Sequence, residues 1–141
     1  MSEPGPIAHR LGYAGLIPFV AGAALVWLVH ADAHPYVVDA LSKYGAVIVS
    51  FLGGIHWGYA MREGRPEAHA FAWGIVPSLL AWIAALMPAH AGLAALGFVL
   101  VACWLVDRRI YPRHGLARWL TLRFRLTLVA SLSCFLAAAG S

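Results

Sequence analysis

The sequence predicts an all-α integral membrane protein, a bundle of five transmembrane helices with the N-terminus inside and the C-terminus outside. Three observations carry that prediction. Of its 141 residues 62% are hydrophobic and 11% charged, whereas soluble domains carry about 25% charged residues, so the solvent that suits this chain is lipid. Its apolar runs are long and continuous, without the period-two alternation of barrel strands, so helices are expected to span the bilayer. Nine of the ten basic residues fall in or beside three short segments: Arg10, the turn carrying Arg62 and Arg65, and the stretch from Arg108 to Arg125. The connections between them carry only Lys43. By the positive-inside rule those three segments share the cytoplasmic side, or the matrix side in a mitochondrion. The net charge of +4 is then a topology signal. With no basic run interleaved with stacking aromatics in a free loop, nucleic acid is not an expected partner.

Residues 1–10 contain Pro4, Gly5 and Pro6 and are expected to form a disordered lead. The first span is predicted over 11–30. An Ala-x-Ala pattern at Ala31 to Ala33 resembles a cleavage site, but the preceding apolar run exceeds the 7 to 15 residues usual for a signal peptide, so a mature helix is expected. Its GLIP (Gly15 to Pro18) returns as GIVP (Gly74 to Pro77) in span three. Pro18 and Pro77 each remove a backbone donor and are predicted kinks. The repeat is compatible with a duplicated hairpin, but spans two and four do not match, and separate use of a proline kink is the simpler reading.

Span two, predicted over 43–62, is expected to be the central helix. At 100° per residue Ala46, Ser50, Gly54 and Gly58 form one ridge of small side chains, the pattern that lets two membrane helices approach closely. His56 lies on the other side with Val49, Leu52, Gly53, Tyr59 and Ala60. Both faces therefore favour protein over lipid. Span three is predicted over 68–87, closed by Pro88, and span four over 91–107 after the tight PAHAG turn. Residues 108–125 place arginines among Tyr111, Trp119 and Phe124, the make-up of a segment at headgroup level. Span five, over 119–139, begins within it. Cys103 and Cys134 lie at different depths inside apolar segments, too far apart for a disulfide, and are expected to be packing residues.

His56 is the sharpest candidate for function, because ionisable residues inside membrane spans usually face the bundle interior and serve ligands or proton relays. The plainer account is a neutral imidazole bonded to a neighbouring helix, contributing about 0.6 kcal/mol. Arg123, Thr127 and Ser131 form a polar stripe on span five and are its expected partners, so the candidate ligand set is His56, Gly53, Tyr59, Arg123, Thr127 and Ser131. Packing between helices is the alternative role for that stripe. Asp107, among arginines, is expected in a charged collar at the interface. No second histidine lies at the depth of His56, so a bis-histidine haem is not expected. His30, Asp32 and His34 form H-x-D-x-H, with His90 in the other outer turn. That spacing is common by chance, and neither a metal nor any other cofactor is expected. The sequence carries no Walker loop, G-x-S-x-G or H-E-x-x-H, and no paired carboxylates in the spans.

The stretches LGYAGLIPF and YGAVIVSFLGGIHWGYA resemble a family of small membrane proteins of unknown function that includes the mitochondrial transmembrane protein 69, most specifically in SFLGGIHWG. The resemblance covers nearly the whole chain. It implies a membrane location and carries over no catalytic residue. With no long arginine- and serine-rich N-terminal extension, the expected location is a bacterial inner membrane. The first expectation for function is a non-enzymatic accessory subunit or assembly factor that associates laterally with other membrane proteins or with copies of itself. The alternative is a binder of a small lipophilic ligand, a quinone or lipid, or a proton-handling protein, using His56. A transporter comes third, since five short helices are few for alternating access.

Overall fold

The computed structural model describes residues 3–64 and 68–141, without the side chain of Ala68. Arg65, expected in the turn after span two, lies outside the described residues. The elements are α1 (Pro6–Ala14), α2 (Ile17–Leu28), α3 (His34–Glu63), α4 (Ala68–Leu86), α5 (Ala89–Ile110) and α6 (Leu120–Gly140). Two 3-10 turns, Tyr111–His114 and Ala117–Trp119, join α5 to α6, with Gly115 at φ 72° between them. The described residues contain no strand. Five segments are long and apolar enough to cross a membrane: Pro6–Leu28, His34–Glu63, His69–Leu86, Ala89–His114 and Ala117–Gly140.

Two helices begin earlier than the sequence led us to expect. Residues 6–14 are helical rather than a disordered lead, because Pro6 stands in the first turn of α1, where its fixed φ suits a helix and its missing N–H leaves nothing unpaired. Pro35 does the same for α3, so most of the expected 31–43 connection is helix. At 30 residues α3 is about 45 Å long, more than the roughly 30 Å hydrocarbon core, so its ends reach beyond it.

The two proline motifs take different forms. The first span breaks at Gly15 and Leu16, just ahead of Pro18, which has no N–H to offer the Ala14 carbonyl. The Gly15 carbonyl freed by the break accepts the Tyr44 hydroxyl at 2.6 Å. By contrast α4 runs through Pro77 as one helix.

Helix α3 packs against α2, α4, α5 and α6 and is the centre of the bundle. Its buried face holds Val38, Leu41, Gly45, Val49, Leu52, Gly53, His56 and Ala60. Against it lie Phe19 of α2, Leu93, Leu96 and Leu100 of α5, and Cys134 of α6, all at most 1% exposed. The closest approach is between α3 and α4. A Cβ on Gly53 would collide with the Gly74 carbonyl and press on the Pro77 ring, and one on Gly74 would collide with Trp57.

The expected small-residue ridge makes no close helix contact at Gly54 and Gly58 within this chain. Of the expected ridge, Ala46 and Ser50 are only partly buried, and Gly54 and Gly58 are exposed with nothing within 4 Å of a Cβ placed there. The Ser50 hydroxyl folds back onto its own Ala46 carbonyl at 2.9 Å. Within one copy of the chain, the close helix contact of α3 with α4 is made by Gly53, a residue the sequence places in the candidate ligand set.

Candidate functional site

Three helices bring one charged and polar side chain each to a single buried point near the basic end of the bundle. His56 and Asp107 are each 1% exposed and Arg123 is 6% exposed. The Asp107 carboxylate accepts from His56 Nε2 at 2.8 Å through one oxygen and from Arg123 Nη2 at 2.9 Å through the other. Since an ionised carboxylate only accepts, Nε2 of His56 carries the proton, and in the neutral ring Nδ1 then accepts the Tyr59 hydroxyl, 2.8 Å away. Arg123 Nη1 donates to Thr127 Oγ1. Two ionised groups are costly to bury here, and they persist because each is paired and further hydrogen-bonded.

The network extends to the basic surface. Tyr59 stacks on His114 with ring centroids 4.0 Å apart, and His114 Nδ1 donates to Glu63 at 2.7 Å. Trp73 of α4 stands edge-on to His56, with centroids 6.4 Å apart, and Tyr111 of the first 3-10 turn lies 6.3 Å from it on the same measure. Three buried polar atoms among the described residues have no hydrogen-bond partner: Trp73 Nε1, the Tyr111 hydroxyl and Arg123 Nε. Such atoms are uncommon in folded proteins and call for an explanation.

Two of the residues that carry them, Tyr111 and Arg123, line a cavity. A chamber of about 590 Å³, open along one side, lies between the first span, α3, α5 and α6. Its walls are almost wholly apolar, with Leu11, Phe19, Phe51 and Leu126 among them, and its polar boundary consists of Tyr111, Arg123 and Thr127. Arg123 adjoins Tyr111 without meeting hydrogen-bond geometry, and the unpartnered donor of each is buried behind the chamber wall.

Of the six residues expected to form a ligand site, His56, Tyr59, Arg123 and Thr127 join one hydrogen-bonded cluster. Gly53 and Ser131 do not. Gly53 is the α3–α4 crossing point, and the Ser131 hydroxyl bonds the Leu128 carbonyl of its own helix at 3.2 Å. His56 does not border the chamber and is linked to Arg123, which does, through Asp107. Asp107, expected in a charged collar at the interface, is the buried centre of the network, because α5 runs three residues beyond it before the chain turns. Tyr111, read as a headgroup aromatic, is only 3% exposed. Elsewhere, His34 Nε2 donates to the Gly140 carbonyl at 2.9 Å, and no three His, Cys, Asp or Glu side chains among the described residues are grouped to hold a metal.

Comparison with known proteins gives this architecture a lineage. A family model described as "Protein of unknown function (DUF3429)" matches residues 5–139. The chain belongs to this family. Among DUF3429 relatives, Transmembrane protein 69 of Xenopus tropicalis is 47% identical over 86 residues, which cover 59% of this chain and 33% of the frog protein. Transmembrane protein 69 of Mus musculus is 28% identical over 137 residues, covering 94% of this chain and 55% of the mouse protein. The chain thus spans about a third to a half of the curated relatives it matches. No solved structure matches it. As a DUF3429 member with five apolar helices it is a multi-pass membrane protein, and the family description assigns no activity.

Proposed function

We propose that the protein binds a small lipophilic molecule in the chamber between its first span, α3, α5 and α6, and acts by binding rather than by catalysis. The supporting observation is an apolar chamber of about 590 Å³ whose lining includes a few polar side chains, Tyr111, Arg123 and Thr127. Binding sites for small molecules pair apolar walls with a few placed polar groups in this way. Native mass spectrometry after gentle extraction tests it. We expect a retained small molecule in the wild type and its loss in Leu126→Trp, which fills the chamber from α6. Extraction of an unliganded protein under conditions that preserve lipid adducts elsewhere would count against the reading.

A second reading is lateral association with other membrane proteins or a second copy. It is favoured by the outward-facing Gly54 and Gly58, beside which a Cβ meets nothing within 4 Å. A protein partner retained in the same spectra, lost in Gly54→Leu, would support it.

The membrane we assign is a bacterial inner membrane, with the basic end in the cytoplasm. The clustering of Arg108, Arg109, Arg113 and Arg118 at one end supports that orientation. Reporter fusions at Gly64 and Ser141 should fall on the cytoplasmic and outer sides respectively. Finding both on one side would remove a crossing.

A further inference from the structure

We infer that the basic end of the bundle carries a second site, a groove between the start of the first span and the start of α6 that holds the phosphate of an anionic phospholipid from the surrounding leaflet. Of its described lining residues only Leu122 also lines the chamber, so this site stands whether or not the chamber has an occupant. The groove, of about 390 Å³, is lined by Glu3 and His9 on one side and by Arg118, Thr121 and Arg125 on the other. Its described residues set two guanidiniums against one carboxylate, a positive excess that holds whatever the state of His9. Arg118 Nη1 meets Glu3 at 2.8 Å, whereas Arg125 Nη1 donates to a neutral group, the Tyr13 hydroxyl, at 3.3 Å. Guanidiniums pair with phosphate through parallel N–H bonds, and basic pockets on transmembrane helices take anionic head groups in this way.

The same helix supplies a place for the tails. Arg118, Thr121, Arg125, Leu128, Leu132 and Leu136 recur at intervals of three or four residues, the spacing that keeps side chains on one face of a helix. Leu128, Leu132 and Leu136 are 45%, 52% and 57% exposed, so in a bilayer this stretch meets acyl chains. From Arg125 to Leu136 the helix rises about 16 Å, close to half of the roughly 30 Å hydrocarbon core. One face of α6 therefore runs cationic at headgroup level and apolar through one leaflet, the order of head and tails in a phospholipid. Arg125 lies within α6, and its long side chain lets the guanidinium reach back to the headgroups.

Native mass spectrometry of the delipidated full chain in neutral detergent tests this by titration with phosphatidylglycerol, with phosphatidylcholine of the same acyl chains, and with inorganic phosphate as competitor. We expect the first phosphatidylglycerol to bind at least about fivefold more tightly than phosphatidylcholine. Arg118→Gln and Arg125→Gln should each weaken it about fivefold, and together they should erase the preference. Arg109→Gln, exposed at the same end but outside the groove, should leave the affinity within about twofold. Glu3→Gln removes the competing carboxylate from Arg118 and should tighten binding about two- to fivefold. Equal affinity for the two lipids, or a preference that survives the double replacement, would overturn the site. An equal loss in Arg109→Gln would overturn it in favour of a diffuse attraction to the basic end. Displacement of phosphatidylglycerol by inorganic phosphate would overturn the lipid assignment and leave a site for the free anion.

Discussion

Gly53 and Gly54 are neighbours in sequence and opposites in the fold. A side chain on Gly53 would meet the backbone of α4, whereas one on Gly54 would stand in open space. Both lack a side chain, so small size alone did not say which face of α3 turns inward. His56 does: an imidazole that needs partners cannot be left against hydrocarbon, and the face it shares with Val49, Leu52, Gly53 and Ala60 is the buried one. In a membrane helix the polar residue decides orientation, and the small residues decide only how closely the chosen neighbour comes.

Breaking the inward face at its charged centre should have the largest effect. Asp107→Ala leaves Arg123 buried without a counter-charge and should cost about 3–5 kcal/mol, read as loss of thermal stability in detergent or failure to accumulate in membranes. Next comes Gly53→Leu, which forces α3 and α4 apart at their crossing and should cost about 1–3 kcal/mol, toward the upper end because the obstruction is backbone. His56→Leu removes one of the two donors to Asp107 and should cost about 1–3 kcal/mol. Its melting temperature should fall less than that of Asp107→Ala, because the Arg123 pair survives. The comparison is sharpest at Gly54→Leu, whose effect on the isolated chain's stability should stay within about 0.5 kcal/mol. A loss as large as that of Gly53→Leu would mean that both faces pack in the folded unit.

Much of this arrangement could be read from residues alone, and the gaps have identifiable causes. His56, Arg123 and Thr127 were visible because polar groups are conspicuous in apolar helices. Asp107 was misplaced because it ends an apolar run beside arginines, where a solvated collar is the simpler account. Depth counting points the same way: His56 lies six residues before Arg62, about 9 Å from the basic end, whereas Asp107 lies one residue before Arg108, about 1.5 Å from it, so counting alone does not bring the acid to the imidazole. The unpartnered Tyr111 hydroxyl was not legible, because it depends on the 3-10 turns that fold residue 111 back under the bundle rather than along the headgroups. The lead was misread since Pro4, Gly5 and Pro6 look like breakers, although a proline is as good a helix opener as it is a poor interior residue.

Helix α1 forms part of the chamber's wall through Ala8, Leu11 and Gly12, yet it buries none of its own residues. What ties its surroundings to α6 is the exposed pair of Glu3 with Arg118 at 2.8 Å and the Tyr13–Arg125 contact at 3.3 Å, interactions of a kind that contribute about 0–1 kcal/mol each. Its local opening therefore sits at the low end of the protein's free-energy scale, far below the unfolding of α3. Amide protons of α1 should exchange with deuterated solvent well ahead of those around His56, and an occupant that touches α1 should slow that exchange in proportion to its affinity. On the reading of the chamber as a binding site, the time an occupant stays should be set by the fraying of these nine residues.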